Sequence, residues 1–318
     1  MENTLKGKII KGVGGLYSVR VLDADSPLFG KTVRCRARGS FRHNGMTPLP
    51  GDFVLLAHDG AVDKENEDEG KFVVDSIIDR QNALIRPPMA NLDFLFVTMA
   101  AASPSPILST VDKLISIAEH NKIEPVVVIT KRELDPEKAQ ELTDIYKKSG
   151  FECFSLSAVE NVGIDPIDKF IEARLPHKTA AFAGASGIGK STLLNRLFPS
   201  LELSTSEISR KIERGRHTTR EVELFPLSDS PDCGYIADTP GFSMLDFKRF
   251  DFFEKEDLVN NMREFIPFIG ECKFTKCSHT KEQGCAIIQA VKDGEIPLSR
   301  HQSYVELYDI LKTRKKWD

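Results

Sequence analysis

The sequence predicts a multidomain α/β protein with an N-terminal β-barrel, a central domain on a mostly parallel sheet, and a C-terminal helical domain. Three observations predict this fold class. Short alternating apolar runs separated by Gly, Pro and Asp fill residues 1–78, which is typical of a small barrel. Apolar strands then alternate with helices, as in α/β domains. From residue 247 the composition is helical and charged, and three cysteines lie close to a histidine.

Length and composition limit the class of protein. A chain of 318 residues is long for one hydrophobic core, so we predict domains at 1–78, 79–246 and 247–318. No apolar run approaches the roughly 20 residues that span a bilayer. The N-terminus lacks the basic-then-apolar layout of a secretion signal. We therefore expect a cytoplasmic monomer without membrane attachment.

The barrel is predicted from about five short strands, typical of an OB-fold. Four of them correspond to the runs Gly15–Val21, Thr32–Arg38, Asp52–Leu56 and Phe72–Ile78. The segment Arg80–Pro88 follows them. Paired prolines block both a helix and a central strand, so we predict an extended connector there.

The central domain is predicted from apolar strands and the helices between them. Their alternation indicates a doubly wound, mostly parallel sheet. The predicted elements are strand Phe94–Ala100, helix Leu108–His120, strand Pro125–Ile129, helix Pro136–Lys148, and the strands Glu152–Leu156, Thr179–Ala183 and Tyr235–Ala237.

A glycine-rich segment follows the strand Thr179–Ala183 and fits the pattern G-x-x-x-x-G-K-[ST]. In this pattern backbone N–H groups surround nucleotide phosphates, and the glycines let the main chain adopt positive φ. A predicted helix, Ser191–Leu197, would point its positive dipole end at the anion. The predicted phosphate contacts are Gly184, Ala185, Ser186, Gly187, Ile188, Gly189, Lys190, Ser191 and Thr192.

A second motif, Asp238-Thr239-Pro240-Gly241, follows an apolar strand about 50 residues later. Such an Asp can hold Mg²⁺ through water, while the Gly241 N–H meets a γ-phosphate, as in GTPases. The basic segment 214–220 lies between the two motifs. It is either a switch loop in which Thr218 or Thr219 closes over Mg²⁺, or an ordinary basic loop.

The motif N-K-x-D, which recognises guanine in GTPases, does not follow Gly241. Instead, Thr130-Lys131-Arg132-Glu133 ends an apolar strand upstream of the phosphate loop, and Ser157-Ala158 follows the next strand. The order is base recognition, Ser-Ala, phosphate loop, switch and D-x-x-G. This order is a circular permutation.

In these residues the chain resembles the RsgA family, the circularly permuted bacterial GTPases that depend on the small ribosomal subunit. The resemblance covers essentially the whole length and includes Arg86-Pro87-Pro88, 90–93, the loop 215–219 and the Cys/His cluster. It implies an N-terminal OB-fold RNA-binding domain, a central circularly permuted P-loop GTPase domain and a C-terminal zinc-binding helical domain. It also implies GTP with Mg²⁺ as substrate, and hydrolysis coupled to release from the small (30S) subunit late in its assembly.

Two departures from common GTPase patterns affect the expected chemistry. Thr130 and Glu133 stand where the family has Asn and Asp. Glu133 keeps a carboxylate for guanine on a longer stem, so we predict that guanine preference is kept with weaker binding. Phe242 follows D-x-x-G, where many GTPases have a water-orienting Gln, and the family shares this apolar residue. Intrinsic hydrolysis should therefore be slow.

Candidate catalytic groups follow from the needs of phosphoryl transfer, which are positioning and charge neutralisation. Lys190 would hold β- and γ-phosphate oxygens, while Ser191, Asp238 and Thr218 or Thr219 would serve Mg²⁺. His217 in the switch would orient the attacking water. The alternative for His217 is a loop histidine that contacts RNA or solvent.

The C-terminal cluster Cys272-x₄-Cys277-x-His279-x₅-Cys285 offers three thiolates and one imidazole in one short segment. This donor set favours a closed, tetrahedral, structural Zn²⁺ site, and the resemblance places the four residues at ligand positions. The alternative is free thiols around a chance histidine. Cys35, Cys153 and Cys233 lie in apolar surroundings, and we expect them to be inert.

Basic residues are clustered although the net charge is −4. One cluster on the barrel consists of Arg34, Arg36, Arg38, Arg42 and His43, with Phe41 available for stacking; others lie at 210–220 and 312–317. OB-folds bind nucleic acid with such groups, so we expect ribosomal RNA as partner, against the alternative of a solvated surface. Two other functions stay open: a nucleotide-gated RNA-binding scaffold with incidental hydrolysis, and a P-loop ATPase or nucleotide kinase.

Overall fold

The computed structural model describes residues 4–43, 45–58, 69–199, 222–228, 230, 233–238 and 253–313, with the main chain alone for 42, 43, 69–71 and 238. The strands are β1 (Leu5–Val13), β2 (Leu16–Val21), β3 (Thr32–Ala37), β4 (Phe53–His58), β5 (Glu69–Ile77), β6 (Ala83–Leu84), β7 (Met89–Ala90), β8 (Phe94–Ala100), β9 (Glu124–Thr130), β10 (Glu152–Ser155), β11 (Thr179–Ala183), β12 (Glu223–Pro226) and β13 (Tyr235–Asp238). The helices are α1 (Ser40–His43), α2 (Leu108–His120), α3 (Pro136–Lys148), α4 (Ile164–Arg174), α5 (Lys190–Leu197), α6 (Ala286–Lys292) and α7 (Leu298–Thr313).

These elements form two compact units. The first draws on Met1–Asp93, Phe170–Ala181 and Ser200–Phe242; the second draws on Phe94–Lys169, Phe182–Pro199 and Ser243–Asp318. Within the described ranges, no helix combines the length and the apolar composition that crossing a bilayer requires. The domain limits at 78/79 and 246/247 stay a prediction.

The first unit contains the predicted five-stranded barrel. Strands β1, β2 and β3 are antiparallel neighbours, β3 pairs with β5 in parallel, and β5 pairs with β4. Antiparallel pairing of β4 with β1 closes the barrel. Alternate residues of each strand fill its core, which includes Ile9, Val19, Val54 and Leu56, all fully buried. Closure removes the exposed edges that an open sheet would present.

One interpretation of the barrel was wrong. Phe41 is not available for stacking, because its side chain is 9% exposed and packs in the barrel core. The residue lies in α1, a single helical turn after β3. The turn directs the ring inward, where burial of an aromatic side chain stabilises a small core.

The connector after the barrel is not simply extended. Strands β6 and β7 form a short antiparallel hairpin, with Ala83 paired to Ala90. Two asparagine side chains close it: Asn82 Nδ2 donates to Leu92 O at 2.9 Å, and Asn91 Oδ1 accepts from Gln81 N at 2.8 Å. The prolines therefore lie between the two strands, where their missing N–H groups cost no ladder bond.

Still in the first unit, the barrel continues into the strands of the central sheet. Strand β12 pairs with β1 and with β13, and β13 runs parallel to β11. Lys8 of β1 is 1% exposed, and its Nζ donates to Thr179 Oγ1 of β11 at 2.6 Å. The Lys8 ammonium also lies over the rings of Phe53 and Tyr235, 4.6 Å and 4.8 Å from their centroids. Burial lowers the pKa of Lys8 to about 8.

The second unit carries the other parallel strands in the order β10, β9, β8 and then the end of β11. All seven residues of β8 are buried, as expected for a strand covered on both faces. Helix α3 spans the predicted residues because its N-terminus carries strong helix-start signals in the sequence. Pro136 occupies the first turn, and the Asp135 carboxylate caps the helix by accepting from Lys138 N at 2.9 Å.

The C-terminal segment packs on helix α2 through a buried ionic network that the sequence did not predict. Arg300 of α7 is fully buried; its Nη1 donates to Asp112 Oδ1 at 2.5 Å, and its Nε donates to Glu264 Oε1 at 2.6 Å. Tyr146 donates its hydroxyl to Asp112 at 3.0 Å. Burial raises the pKa of Asp112, while Arg300 opposes that shift. The guanidinium is therefore the positive charge that pairs with both buried carboxylates.

Replacing Arg300 by Met should lower the free energy of unfolding by about 3–5 kcal/mol, because two buried carboxylates lose their partner. Urea denaturation of the full chain measures the change. Lys138→Ala is the matched control, since it breaks an ion pair whose side chains are 35% and 57% exposed and should cost less than about 0.5 kcal/mol. Equal losses in both variants would contradict a structural role for the network.

Candidate nucleotide-binding site and metal centre

The phosphate loop begins at Gly184, directly after the buried strand β11. The main chain there has φ +149°, and a Cβ atom would lie 2.2 Å from Thr98 O of β8. Only glycine fits this approach, because the contact is with backbone that cannot move aside. Gly187 and Gly189 also have positive φ, at 77° and 90°. The loop thus has the backbone conformation that its glycines predict.

Lys190 opens helix α5 and turns back over the loop. Its Nζ donates to Gly184 O at 2.7 Å and to Ala185 O at 2.6 Å. Burial lowers the pKa of Lys190 to about 8, so the ammonium lies where an anion would stabilise its charge. Ser191 and the exposed Thr192 follow in the first turn of α5.

The end of β9 contacts the phosphate loop through two side chains. The buried Thr130 hydroxyl lies 2.5 Å from Ile188 O of the loop and 3.1 Å from Met99 O of β8. Lys131 Nζ donates to Gly187 O at 2.7 Å and also to Ser103 O. The predicted base-recognition segment and the predicted phosphate loop are therefore in direct contact.

Glu133 lies in a short 3-10 turn, Arg132–Leu134, after the left-handed residue Lys131. Its Oε2 atom is buried, and no hydrogen-bond donor meets it among the residues that the structure describes. A buried carboxylate oxygen without a donor is costly. It is also the group that the two adjacent N–H donors of guanine would satisfy.

The Ser157-Ala158 pair lies in a tight loop after β10. Ser157 is fully buried; its N–H donates to Val162 O at 2.8 Å, and its Oγ accepts from Glu160 N at 3.1 Å. Sequence reasoning missed a link from this loop to helix α5. Arg196 Nε donates to Asn161 Oδ1 at 2.7 Å. No local pattern signals a pair 35 residues apart.

Several predicted site residues lie outside the described part of the chain. These are His217, Thr218, Thr219, Gly241 and Phe242. The main chain of Asp238 ends strand β13 in the first unit, as the motif predicts, and its side chain is outside the description. The roles assigned to these residues therefore stay predictions.

The four ligand atoms of the C-terminal cluster lie within 4.8 Å of one another. The Sγ atoms of Cys272 and Cys285 are 3.8 Å apart, and each is 3.5 Å from His279 Nδ1. Zn–S bonds of about 2.3 Å and a Zn–N bond of about 2.0–2.1 Å give tetrahedral edges of about 3.8 Å and 3.5 Å. Cys272, His279 and Cys285 thus have the spacing of three tetrahedral zinc ligands, and Cys277, within 4.8 Å of them, completes a donor set that suits zinc.

Hydrogen bonds outside the ligand set support the metal loop. Glu282 accepts from Ser278 N at 2.8 Å and from Thr280 N at 3.0 Å. His301 Nε2 lies 2.8 Å from His279 O. Burial opposes ionisation of Glu282, but hydrogen bonds from the Ser278 hydroxyl and from the N–H groups of Lys281, Ser278 and Glu282 outweigh it and lower its pKa to about 2. The loop is held in shape by an ionised carboxylate at neutral pH. Cys35, Cys153 and Cys233, which we expect to be inert, are buried.

Comparisons with known proteins agree with this architecture. The family model described as RsgA GTPase matches residues 77–248, and the model described as RsgA N-terminal domain matches residues 6–70. A protein named small ribosomal subunit biogenesis GTPase RsgA from Alkaliphilus metalliredigens is 37% identical over 98% of this chain and 99% of its own length. One of the same name from Bacillus pumilus is 40% identical, with 98% of each chain covered.

Solved structures show the same fold. YjeQ from Thermotoga maritima superposes with a TM-score of 0.78 at 29% identity, covering 98% of this chain and all of the other. YloQ, described as a circularly permuted GTPase, gives a TM-score of 0.74 at 34% identity, covering 98% and 96%.

The fold and the site together define a class: a P-loop GTPase domain in circular permutation, preceded by an OB-like barrel and followed by a helical segment with a Cys₃His cluster. Base recognition is encoded before the phosphate loop, as predicted. Within that class, the matched family models and the full-length relatives all point to one family. The chain is a GTPase that belongs to the RsgA family.

We predict that protein purified without chelator carries about one zinc ion per chain, because four ligand atoms of the right type already lie within 4.8 Å of one another. Elemental analysis measures the content. Cys277→Ser should lower it to near zero, while Cys153→Ala, a control at a buried thiol outside the cluster, should retain it. Zinc-free wild-type protein, or undiminished zinc in Cys277→Ser, would contradict the site.

Nucleotide binding should weaken above pH 8. The pKa of Lys190 is lowered to about 8 by burial, so the free protein loses this charge as the pH rises through that value, while a bound triphosphate favours the charged form. Calorimetry of GTP binding at pH 8.5, in buffers of different ionisation enthalpy, should show uptake of about three-quarters of a proton per nucleotide, which is the deprotonated fraction of a group with a pKa of about 8. At pH 6.5 the uptake linked to Lys190 should be close to zero. Equal uptake at both pH values would contradict the role of Lys190.

Proposed function

We propose that this protein hydrolyses GTP during biogenesis of the small ribosomal subunit, binding the 30S subunit in its GTP form and leaving it after hydrolysis. The observation that carries the nucleotide assignment is the direct contact between the strand end at Thr130-Lys131 and the loop at Gly187-Ile188. A single nucleotide can then span base recognition and phosphate binding. The shared name of the full-length relatives supports the small subunit as partner.

The guanine end of the site is assigned to four residues. The Glu133 carboxylate would accept from the N1–H and the exocyclic amine of guanine, since its buried Oε2 has no donor among the described residues. Lys131 would pack against the base from the edge of the phosphate loop, to which it is already bonded. Ser157 and Ala158 would line the remaining side through the tight loop after β10.

The phosphate end is assigned to the loop from Gly184 to Thr192. Backbone N–H groups of the loop would donate to phosphate oxygens, and the Lys190 ammonium would bridge the β- and γ-phosphates. Ser191 and Asp238 would hold Mg²⁺, joined by Thr218 or Thr219. When bound, Mg²⁺ neutralises charge on the phosphates.

Hydrolysis itself is assigned to the switch segment. The reaction is water attack on the γ-phosphate, a phosphoric anhydride, and needs an oriented water more than covalent chemistry. Phe242 cannot orient water, so His217 is proposed for that step, with Thr219 closing the site beside Lys190. The free protein should therefore turn over slowly, because its switch segment must first be arranged by a partner.

RNA contact is assigned first to the barrel. Arg34 and Arg36 of β3 and Arg38 directly after it are exposed, while Cys35, between the first two, is buried in the core. Neighbouring side chains on one strand face lie about 6.6–7 Å apart, and such a row of cations suits a phosphate backbone. Arg38 also pairs with Asp75 at 2.9 Å, an exposed ion pair that is weak in water and that a phosphate could replace. We assign Arg42 and His43 to the same contact, since their main chain lies in α1, shortly after β3.

A zinc ion, three domains and a cytoplasmic location complete the proposal. One Zn²⁺ would stabilise the C-terminal domain at 247–318, since closed Cys/His sites contribute folding energy. The barrel at 1–78 and the GTPase domain at 79–246 would form the other two parts. A small-subunit partner fits a cytoplasmic, monomeric protein. The scaffold alternative, in which hydrolysis is incidental, predicts turnover that no ribosomal particle changes.

GTP turnover in the presence of isolated subunits tests the proposal. Small subunits should raise the turnover rate by at least about tenfold, which needs only about 1.4 kcal/mol of added transition-state stabilisation. Large subunits should leave the rate unchanged. His217→Ala should keep GTP affinity and lose the stimulation, whereas the matched control His120→Ala, at the exposed end of α2, should keep both.

Stimulation by large subunits alone would contradict the partner assignment. No stimulation by either subunit would favour the scaffold. Full stimulation of His217→Ala would remove this histidine from the mechanism and leave the partner assignment standing.

A further inference from the structure

We propose that Thr130 is a positioning residue that fixes the phosphate loop, and that this chain therefore binds guanine without recognising its N7 atom. The inference rests on the proposed function, since it concerns how GTP is recognised. It assigns Thr130 to the loop rather than to the base.

The fold determines which group receives the single proton of the Thr130 hydroxyl. The Thr130 hydroxyl is 2% exposed and lies between two backbone carbonyls, Ile188 O at 2.5 Å and Met99 O at 3.1 Å. A hydroxyl carries one proton. Both neighbours are acceptors, so that proton is committed to the protein. The shorter distance commits it to Ile188 of the phosphate loop.

The hydrogen-bond acceptors of guanine need a donor from the protein. One edge of the base presents the acceptors N7 and O6, which only a donor can recognise. Asparagine, unlike threonine, carries two N–H donors. One could bind a loop carbonyl while the other reached a base acceptor. Threonine has no second proton, so the contact with the loop excludes a contact with N7.

The preference for guanine over adenine can still come from Glu133. Guanine also presents two adjacent donors, and Glu133 has a buried carboxylate oxygen that no described residue satisfies. Discrimination against adenine would then depend on the carboxylate, because adenine lacks that donor pair. Removing one neutral hydrogen bond costs only about 0.5–1.5 kcal/mol, whereas an unpaired buried carboxylate costs more. The chain can lose N7 recognition and still prefer guanine.

Rigidity favours threonine for the loop contact. Thr130 is the last residue of β9, and a β-branched side chain on a strand has few χ1 rotamers. Its hydroxyl is therefore held toward the loop at little cost in entropy.

Equilibrium binding of GTP, ATP and 7-deaza-GTP to the full chain tests the inference. In 7-deaza-GTP a C–H group replaces N7, and every other donor and acceptor of the base is kept. The wild-type chain should bind GTP and 7-deaza-GTP with dissociation constants within about twofold, and ATP far more weakly. A chain that binds GTP but binds 7-deaza-GTP at least tenfold more weakly overturns the inference and leaves the proposed function intact. Failure to bind GTP, or equal binding of ATP, overturns the proposed function instead.

Three variants separate the loop contact from base recognition. Thr130→Asn should introduce a preference for GTP over 7-deaza-GTP of about 2- to 10-fold, the size of one net hydrogen bond. Thr130→Val should weaken both guanine nucleotides equally, by about tenfold, because the loop loses its donor; Thr130→Ser should restore wild-type affinity. Thermal unfolding verifies that each variant is folded. An Asn variant without the new preference, or a Val variant with unchanged affinity, contradicts the role given to Thr130.

Discussion

The contact between the end of strand β9 and the phosphate loop is the constraint on which the nucleotide site depends. Two side-chain donors, the Thr130 hydroxyl and the Lys131 ammonium, bind consecutive carbonyls of the loop, Ile188 O and Gly187 O. Because two consecutive carbonyls accept hydrogen bonds from these side chains, the phosphate loop has little freedom to change its shape. Its N–H groups are then organised before any phosphate arrives, so less entropy is lost on binding.

This constraint also explains how a permuted chain order preserves one site. In the second unit, parallel strands bring their carboxyl ends to the same edge of the sheet, and ligands of α/β folds bind at that edge. Lys131 follows β9, Ser157 follows β10, and Gly184 follows β11. Because their positions depend on strand order in the sheet, the order of the motifs along the chain is free to change.

The features that could be predicted from the sequence are those that depend on residues close together in the chain. Helix Pro136–Lys148 was predicted at its observed limits because its cap and its proline are neighbours in sequence. The inward turn of Phe41 depends on a helical turn too short to show a period. The Arg300–Asp112 pair joins residues 188 apart, and neither residue stands in a motif. Likewise, the sequence shows a threonine at position 130, but only the folded chain shows which carbonyl takes its proton.

A structure of the protein with a bound, non-hydrolysable GTP analogue tests the account most directly. The account predicts one nucleotide whose base donors lie within hydrogen-bond distance of the Glu133 carboxylate and whose β- and γ-phosphates contact Lys190. A triphosphate held by Lys190 with its base directed away from Glu133 would contradict it.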